Sequence, residues 1–176
     1  FKAESGRYHL YIAMACPWAH RTLIVRHIKG LTKHISVDVV APVTGAQGWT
    51  FARTAHHTTG DSINGRQRLY EVYAVADPKY SGRVTVPLLW DKEQRTAVNN
   101  ESSEIIRMLN SAFGKVGATG PDLYPEKFRS EIDEVNARVY RDVNNGVYRT
   151  GFAGTQEAYA EACSNLFATL DWLDQR

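Results

Sequence analysis

The chain has 176 residues, 43% of them hydrophobic and 23% charged, with 21 basic and 19 acidic side chains and a formal net charge of +2. That balance excludes a disordered or fibrous chain, and the lack of any block of like charge excludes the electrostatic footprint of a nucleic-acid binder. No apolar run approaches the roughly 20 residues of a membrane-spanning helix, and no basic-then-apolar segment opens the sequence, so the expectation is a cytoplasmic protein with small-molecule partners, neither nucleic acid nor membrane.

Residues 7–14, RYHLYIAM, alternate loosely and read as a strand that runs into Cys16. Pro17 suits the first turn of a helix, Ala19, Leu23, Ile24 and Ile28 recur at helical spacing, and Gly30 stands where a helix terminates. Residues 35–42, ISVDVVAP, form a nearly continuous β-branched run, the pattern of a strand buried on both faces, which closes a βαβ unit. Residues 43–68 are polar with little periodicity and predict a long loop, with weak order around 55–66.

A short helix is expected at 69–77 and a strand at 83–91, RVTVPLLWD. Pro87 inside that strand removes a ladder donor, so it predicts a special backbone use such as a cis turn. A strand fragment, a polar corner and a helix with Ile105, Ile106 and Leu109 on its apolar face follow. The glycine-rich stretch 116–122 reads as a linker between a domain at 1–115 and an all-helical one at 123–176. There Phe128, Ile132, Val135 and Val139, then Tyr159, Ala162, Cys163, Leu166, Phe167, Leu170 and Leu173, repeat at helical spacing. Two such helices do not enclose a core by themselves, and the chain begins at Phe1 without a methionine, so it is expected to be part of a longer protein.

A βαβ unit followed by a proline-containing hairpin and a last helix is the thioredoxin-like order: a mixed sheet with helices on both faces. At its first strand-to-helix turn, unpaired N–H groups and the positive end of the helix dipole favour a thiolate, and His20 and Arg21 lie in the first turn. Cys16 is therefore expected to be a nucleophile rather than a buried structural cysteine. Three residues on stands Ala19 instead of a second cysteine, so a mixed disulfide on Cys16 must be released by a thiol from solution. Cys163, in an apolar stripe, is expected to pack. The two cysteines have no metal-ligand or disulfide-framework spacing, and no metal is required.

The words GRYHLYIAMACPWAHRTLI, GW at 48–49, YSGRVTVPLLWDK, NNESSEIIRM, DLYP and NNGVYRTGFA, in this order, resemble the glutathionyl-hydroquinone reductases, or xi-class glutathione transferases. The resemblance implies a thioredoxin-like domain joined to an all-α transferase C-terminal domain, here only partly present. It also implies a homodimer, and reduction of glutathionyl-hydroquinones with glutathione as co-substrate. By the same resemblance Cys16 is the nucleophile, Trp49 covers the bound thiol peptide, and Val86 next to Pro87 pairs with the peptide's cysteine unit. Glu101 and Ser102 hold its γ-glutamyl end, and Tyr148 faces the cysteine as proton donor. Arg83 is a candidate partner for a ligand carboxylate. Rival expectations are an omega-like thioltransferase or dehydroascorbate reductase using the same cysteine, a non-catalytic binding module of the same fold, and another small thiol in place of glutathione.

Overall fold

The computed structural model describes residues 1–53 and 57–176. It divides into two compact units, Phe1–Leu123 and Tyr124–Arg176.

In the first unit, β1 (Tyr8–Ala13), β2 (Ile35–Val40), β3 (Leu88–Asp91) and β4 (Thr96–Asn99) form a four-stranded mixed sheet in the order β2-β1-β3-β4. β1 runs parallel to β2, with Leu10 opposite Val37, and antiparallel to β3, with Leu10 opposite Leu89. The parallel pair is joined through α1 (Pro17–Ile28), as the βαβ reading requires. Alternation along β1 sends its side chains into two separate cores. Tyr8, Leu10 and Ile12 pack with Ala19 and Val25 of α1 and with Ile105 and Leu109 of α3 (Ser102–Ser111). Tyr11 and Ala13 pack with Leu69, Val72 and Tyr73 of α2 (Leu69–Ala76) and with Leu88 and Trp90 of β3. Helices on both faces thus follow from one strand that is apolar on both sides.

Three expectations change. β2 is an edge strand: Ser36 is exposed and Val37 and Val39 are half-buried, so its β-branched run serves one covered face and a partly covered edge. β3 starts at Leu88, after Pro87, so the proline precedes the ladder and removes no donor from it. Within the stretch expected to be weakly ordered, positions 55 and 56 lie outside the described residues, but His57–Arg66 contains Thr59, Asp61 and Ser62, each hydrogen bonded to groups on the sheet.

The glycine-rich stretch after α3 is tied to the end of α1. Thr119 donates its N–H to the Lys29 carbonyl (3.0 Å) and Lys29 Nζ donates to the Pro121 carbonyl (3.0 Å). Gly120 adopts φ +76°, and a β-carbon there would lie 2.5 Å from the Ile28 carbonyl oxygen, so only glycine fits this approach.

The second unit holds α4 (Arg129–Val139), a π-helical turn at Tyr140–Asn144, α5 (Gly146–Gly151) and α6 (Gln156–Asp174). The two apolar stripes fall on α4 and α6, except that Phe128 stands in the 3-10 turn just before α4; the π-turn and α5 lie between them. No residue of α4 is buried, and of α6 only Thr169 is.

Candidate active site

Cys16 ends the turn after β1 and is the N-cap of α1, with extended backbone at φ −94° and ψ 112°. Its N–H donates to the Ala13 carbonyl (3.0 Å), and its carbonyl accepts the His20 N–H (3.0 Å). Pro17 occupies the first helical position, where a missing N–H leaves no bond unmade. The Cys16 side chain caps nothing. Its half-buried thiol lies 3.5 Å from the Val86 carbonyl oxygen, to which it donates.

The Val86–Pro87 peptide is cis. Val86 is buried against the α2-side core, and no partner for its N–H is found among the described residues. The neighbouring Thr85 is fastened on two sides: its carbonyl accepts the Tyr73 hydroxyl (2.9 Å), and its Oγ1 accepts from Asn100 Nδ2 (3.2 Å). Asn100 also donates to the Tyr73 hydroxyl oxygen (3.2 Å), which joins the segment before β3 to the corner before α3.

At that corner Glu101 is the N-cap of α3 and accepts the Ser103 N–H (3.1 Å) and hydroxyl (3.0 Å). Ser102, 2% exposed, accepts two hydrogen bonds from Arg21 of α1, from Nε at 2.9 Å and Nη2 at 2.7 Å. The same guanidinium lies 3.6 Å from the Glu101 carboxylate and stacks over the Trp18 ring. Arg21 therefore latches the helix that starts at Cys16 onto the start of α3. A cation, a helix N-terminus, a hydroxyl and a carboxylate converge there, a set suited to the carboxylate and amine of a zwitterionic ligand end.

The structure thus gathers Cys16, Val86, Pro87, Glu101 and Ser102 at one end of the sheet. Trp49 sits in the β2–α2 loop, half-buried at the edge of the same core that Cys16 and Val86 border. Its carbonyl accepts the Leu69 N–H at the start of α2 (3.0 Å). Arg83 is exposed, and its carbonyl accepts the Tyr80 hydroxyl (2.8 Å). Tyr148 belongs to the second unit, on α5, where its ring stacks with Phe152 at a 6.4 Å centroid distance. Both cysteines are free thiols. Among the described residues no group of three or more His, Cys, Asp or Glu is placed to hold a metal ion, and no helix is long and apolar enough to cross a membrane.

Sequence reasoning treats Arg21 only as a charge near Cys16 and passes over Asn100, because the partners of both are brought by the fold from distant segments. A clearer signal was Asp38, a carboxylate in the middle of an apolar strand, which demands buried partners.

The description "Glutathione S-transferase, N-terminal domain" matches residues 15–112, a span that opens one residue before Cys16 and closes just after α3. The chain belongs to the glutathione S-transferase family. Within that family it is 60% identical to the glutathionyl-hydroquinone reductase PcpF of Sphingobium chlorophenolicum over 175 residues, which cover 99% of this chain and 56% of PcpF. It is 54% identical to the glutathionyl-hydroquinone reductase YqjG of Escherichia coli K12, covering 99% of this chain and 53% of YqjG. The glutathione-bound structure of YqjG superposes with a TM-score of 0.98 over 99% of this chain and 57% of that one. Glutathione transferase Xi 1 from Trametes versicolor superposes with a TM-score of 0.96 at 51% identity, over 99% of this chain and 62% of that one. The chain thus spans a little over half the length of these relatives.

Proposed function

We propose that the chain carries the thiol site of a glutathionyl-hydroquinone reductase. The observation that carries the reading is the meeting of three features: a free thiol at the N-terminus of α1, the Val86 N–H beside it, unpaired among the described residues, and the Arg21–Ser102–Glu101 cluster at the start of α3. A peptide thiol laid along this line pairs its backbone with Val86, seats its carboxylate by Ser102 and Arg21 and its amine by Glu101, and brings its sulfur to Cys16. Trp49 covers it, and Arg83 is at hand for a second carboxylate. The names of PcpF and YqjG, and the glutathione bound to YqjG, support the choice of substrate and co-substrate.

Two half-reactions follow. The Cys16 thiolate attacks the sulfur of a glutathionyl-hydroquinone; the carbon–sulfur bond breaks, its electron pair leaves with the aromatic carbon, and a proton assigned to Tyr148 completes the hydroquinone. The protein is left as a mixed disulfide with glutathione. The thiolate of a second glutathione attacks the glutathione sulfur of that disulfide, releases glutathione disulfide and restores Cys16. With Ala19 in place of a second cysteine, the resolving thiol comes from solution. A reducing cytoplasm suits two free cysteines, and a homodimer is the proposed assembly.

The test is intact mass after exposure to oxidised glutathione, combined with turnover of a glutathionyl-hydroquinone. One glutathione adduct, lost on Cys16→Ser, together with release of hydroquinone, is the expected result. An adduct without hydroquinone release would make the chain an omega-like thioltransferase. No adduct would make it a binding module.

A further inference from the structure

The loop that carries Trp49 is fastened by groups remote from it. Asp38 of β2, 4% exposed, accepts from Thr59 Oγ1 (3.1 Å) and from the N–H (2.6 Å) and hydroxyl (2.7 Å) of Ser62, and faces His9 Nε2 at 3.3 Å. Asp61 goes further. Its Oδ1 accepts the hydroxyl of the fully buried Tyr11 (2.8 Å) and the N–H groups of Ile63 (3.1 Å) and Asn64 (3.0 Å), while its Oδ2 accepts the Arg66 N–H (2.9 Å). Asn64 Nδ2 returns a bond to the Tyr11 oxygen (3.0 Å). The turn at 61–66 is wound around one carboxylate, and that carboxylate is held on β1.

From this turn the chain enters a short ribbon that faces Trp49. Phe51 N–H (2.9 Å) and Thr50 Oγ1 (3.1 Å) both donate to the Gln67 carbonyl, and Leu69 N–H donates to the Trp49 carbonyl (3.0 Å). On the other side Ala41 N–H donates to the Thr50 carbonyl (2.8 Å). The backbone of Trp49 is therefore fixed by a segment that begins one residue after the last N–H bound by Asp61.

We propose that Asp61, held by Tyr11, is a positioning residue for binding of the thiol peptide, setting the place of Trp49 without touching the ligand. The proposal rests on the reading of Trp49 as the aromatic that covers the ligand. Tyr11→Phe isolates the contact, because the ring stays packed against Phe51 and Trp90 while only the hydroxyl goes.

The experiment measures the Kd for reduced glutathione by calorimetry and the rate of Cys16 alkylation by iodoacetamide, for the parent chain, Trp49→Ala, Tyr11→Phe, Asp61→Asn and the double variant Trp49→Ala/Tyr11→Phe. Tyr11→Phe and Asp61→Asn should each weaken glutathione binding about fivefold to tenfold, the scale of one net hydrogen bond. The alkylation rate should stay unchanged, and the double variant should bind no more weakly than Trp49→Ala alone, since coupled residues are not additive. If Trp49→Ala weakens binding while both anchor variants bind as the parent does, or if the losses of Trp49→Ala and Tyr11→Phe add, the positioning role is overturned and the Trp49 reading stands. If Trp49→Ala itself binds normally, that reading fails and the proposal with it. Should Asp61→Asn not fold, Tyr11→Phe decides.

Discussion

The two units bury different kinds of residue. In Phe1–Leu123 the sheet is covered on both faces, and Leu10, Ile12, Leu88, Trp90, Ile105 and Leu109 are almost wholly withdrawn from solvent. In Tyr124–Arg176 the buried residues are Asp142, Gly146 and Thr169, while Phe152, Phe167 and Leu170 are exposed. What organises the second unit is polar: Asp142, in the π-turn, accepts the Thr169 hydroxyl (3.1 Å) and both arms of Arg141, and Arg138 donates to Thr169 Oγ1 (3.1 Å) while lying over the Trp172 ring. Hydrophobic periodicity marks which face of a helix is apolar. Whether that face is covered is decided by what else is folded against it.

The contrast can be broken most sharply through chemistry. If Tyr148 is the proton donor of the proposed reduction, Tyr148→Phe should slow turnover of a glutathionyl-hydroquinone by about 10²–10⁴-fold, the usual range for a positioned general acid, and barely affect reduction of a small mixed disulfide, whose sulfur leaves readily as an anion. Equal losses on the two substrates would confine the second unit to a supporting role. The next largest effect is on stability. Trp90→Ala should cost about 3–5 kcal/mol in urea unfolding, and the exposed Phe167→Ala should stay within about 0.5 kcal/mol of the parent. A large loss at Phe167 would show that this face is covered in solution.

Thr169→Val keeps the shape and leaves the Asp142 carboxylate short of a donor, so a loss of about 1–3 kcal/mol is expected by the same measurement. A smaller, pH-linked effect belongs to Asp38. Burial by itself would raise its carboxyl, but the His9 ring that faces it and the two hydrogen bonds from Ser62 outweigh burial and hold it at about 2. A depressed carboxyl stabilises the fold above its unfolded value of roughly 3.9, and that contribution drains away as pH falls toward 2. Urea midpoints taken from about pH 5 downward should therefore fall more steeply for the parent than for Asp38→Asn.

The strand-turn-helix around Cys16 was legible because each part is locally encoded: an apolar run, a proline at the first helical position, and Gly30 with φ +66° where the helix stops. The meeting of Cys16 with Val86 was legible only through the family resemblance. Three features stayed out of reach. Tyr11 and Asp61 are 50 residues apart, and nothing near either names the other. The start of β3 was misplaced because Val84 and Val86 continue its apolar alternation, although the ladder begins only after Pro87. The π-turn at Tyr140–Asn144 has no periodicity of its own: it falls after Val139, where the first apolar stripe ends, and a single widened turn leaves no repeat to read.

One detail of α1 sets the proposed chemistry against durability. Serine, threonine, aspartate and asparagine are the side chains that close a helix N-terminus, and this helix begins with a cysteine that bonds to Val86 instead. Cys16→Ser should therefore leave a protein without its proposed nucleophile that melts higher than its parent, by the equivalent of about 0.5–1 kcal/mol. A scanning calorimeter would report an improvement where every enzymatic assay reports a dead protein. Selection for thermal stability alone would remove the residue on which the proposed chemistry depends.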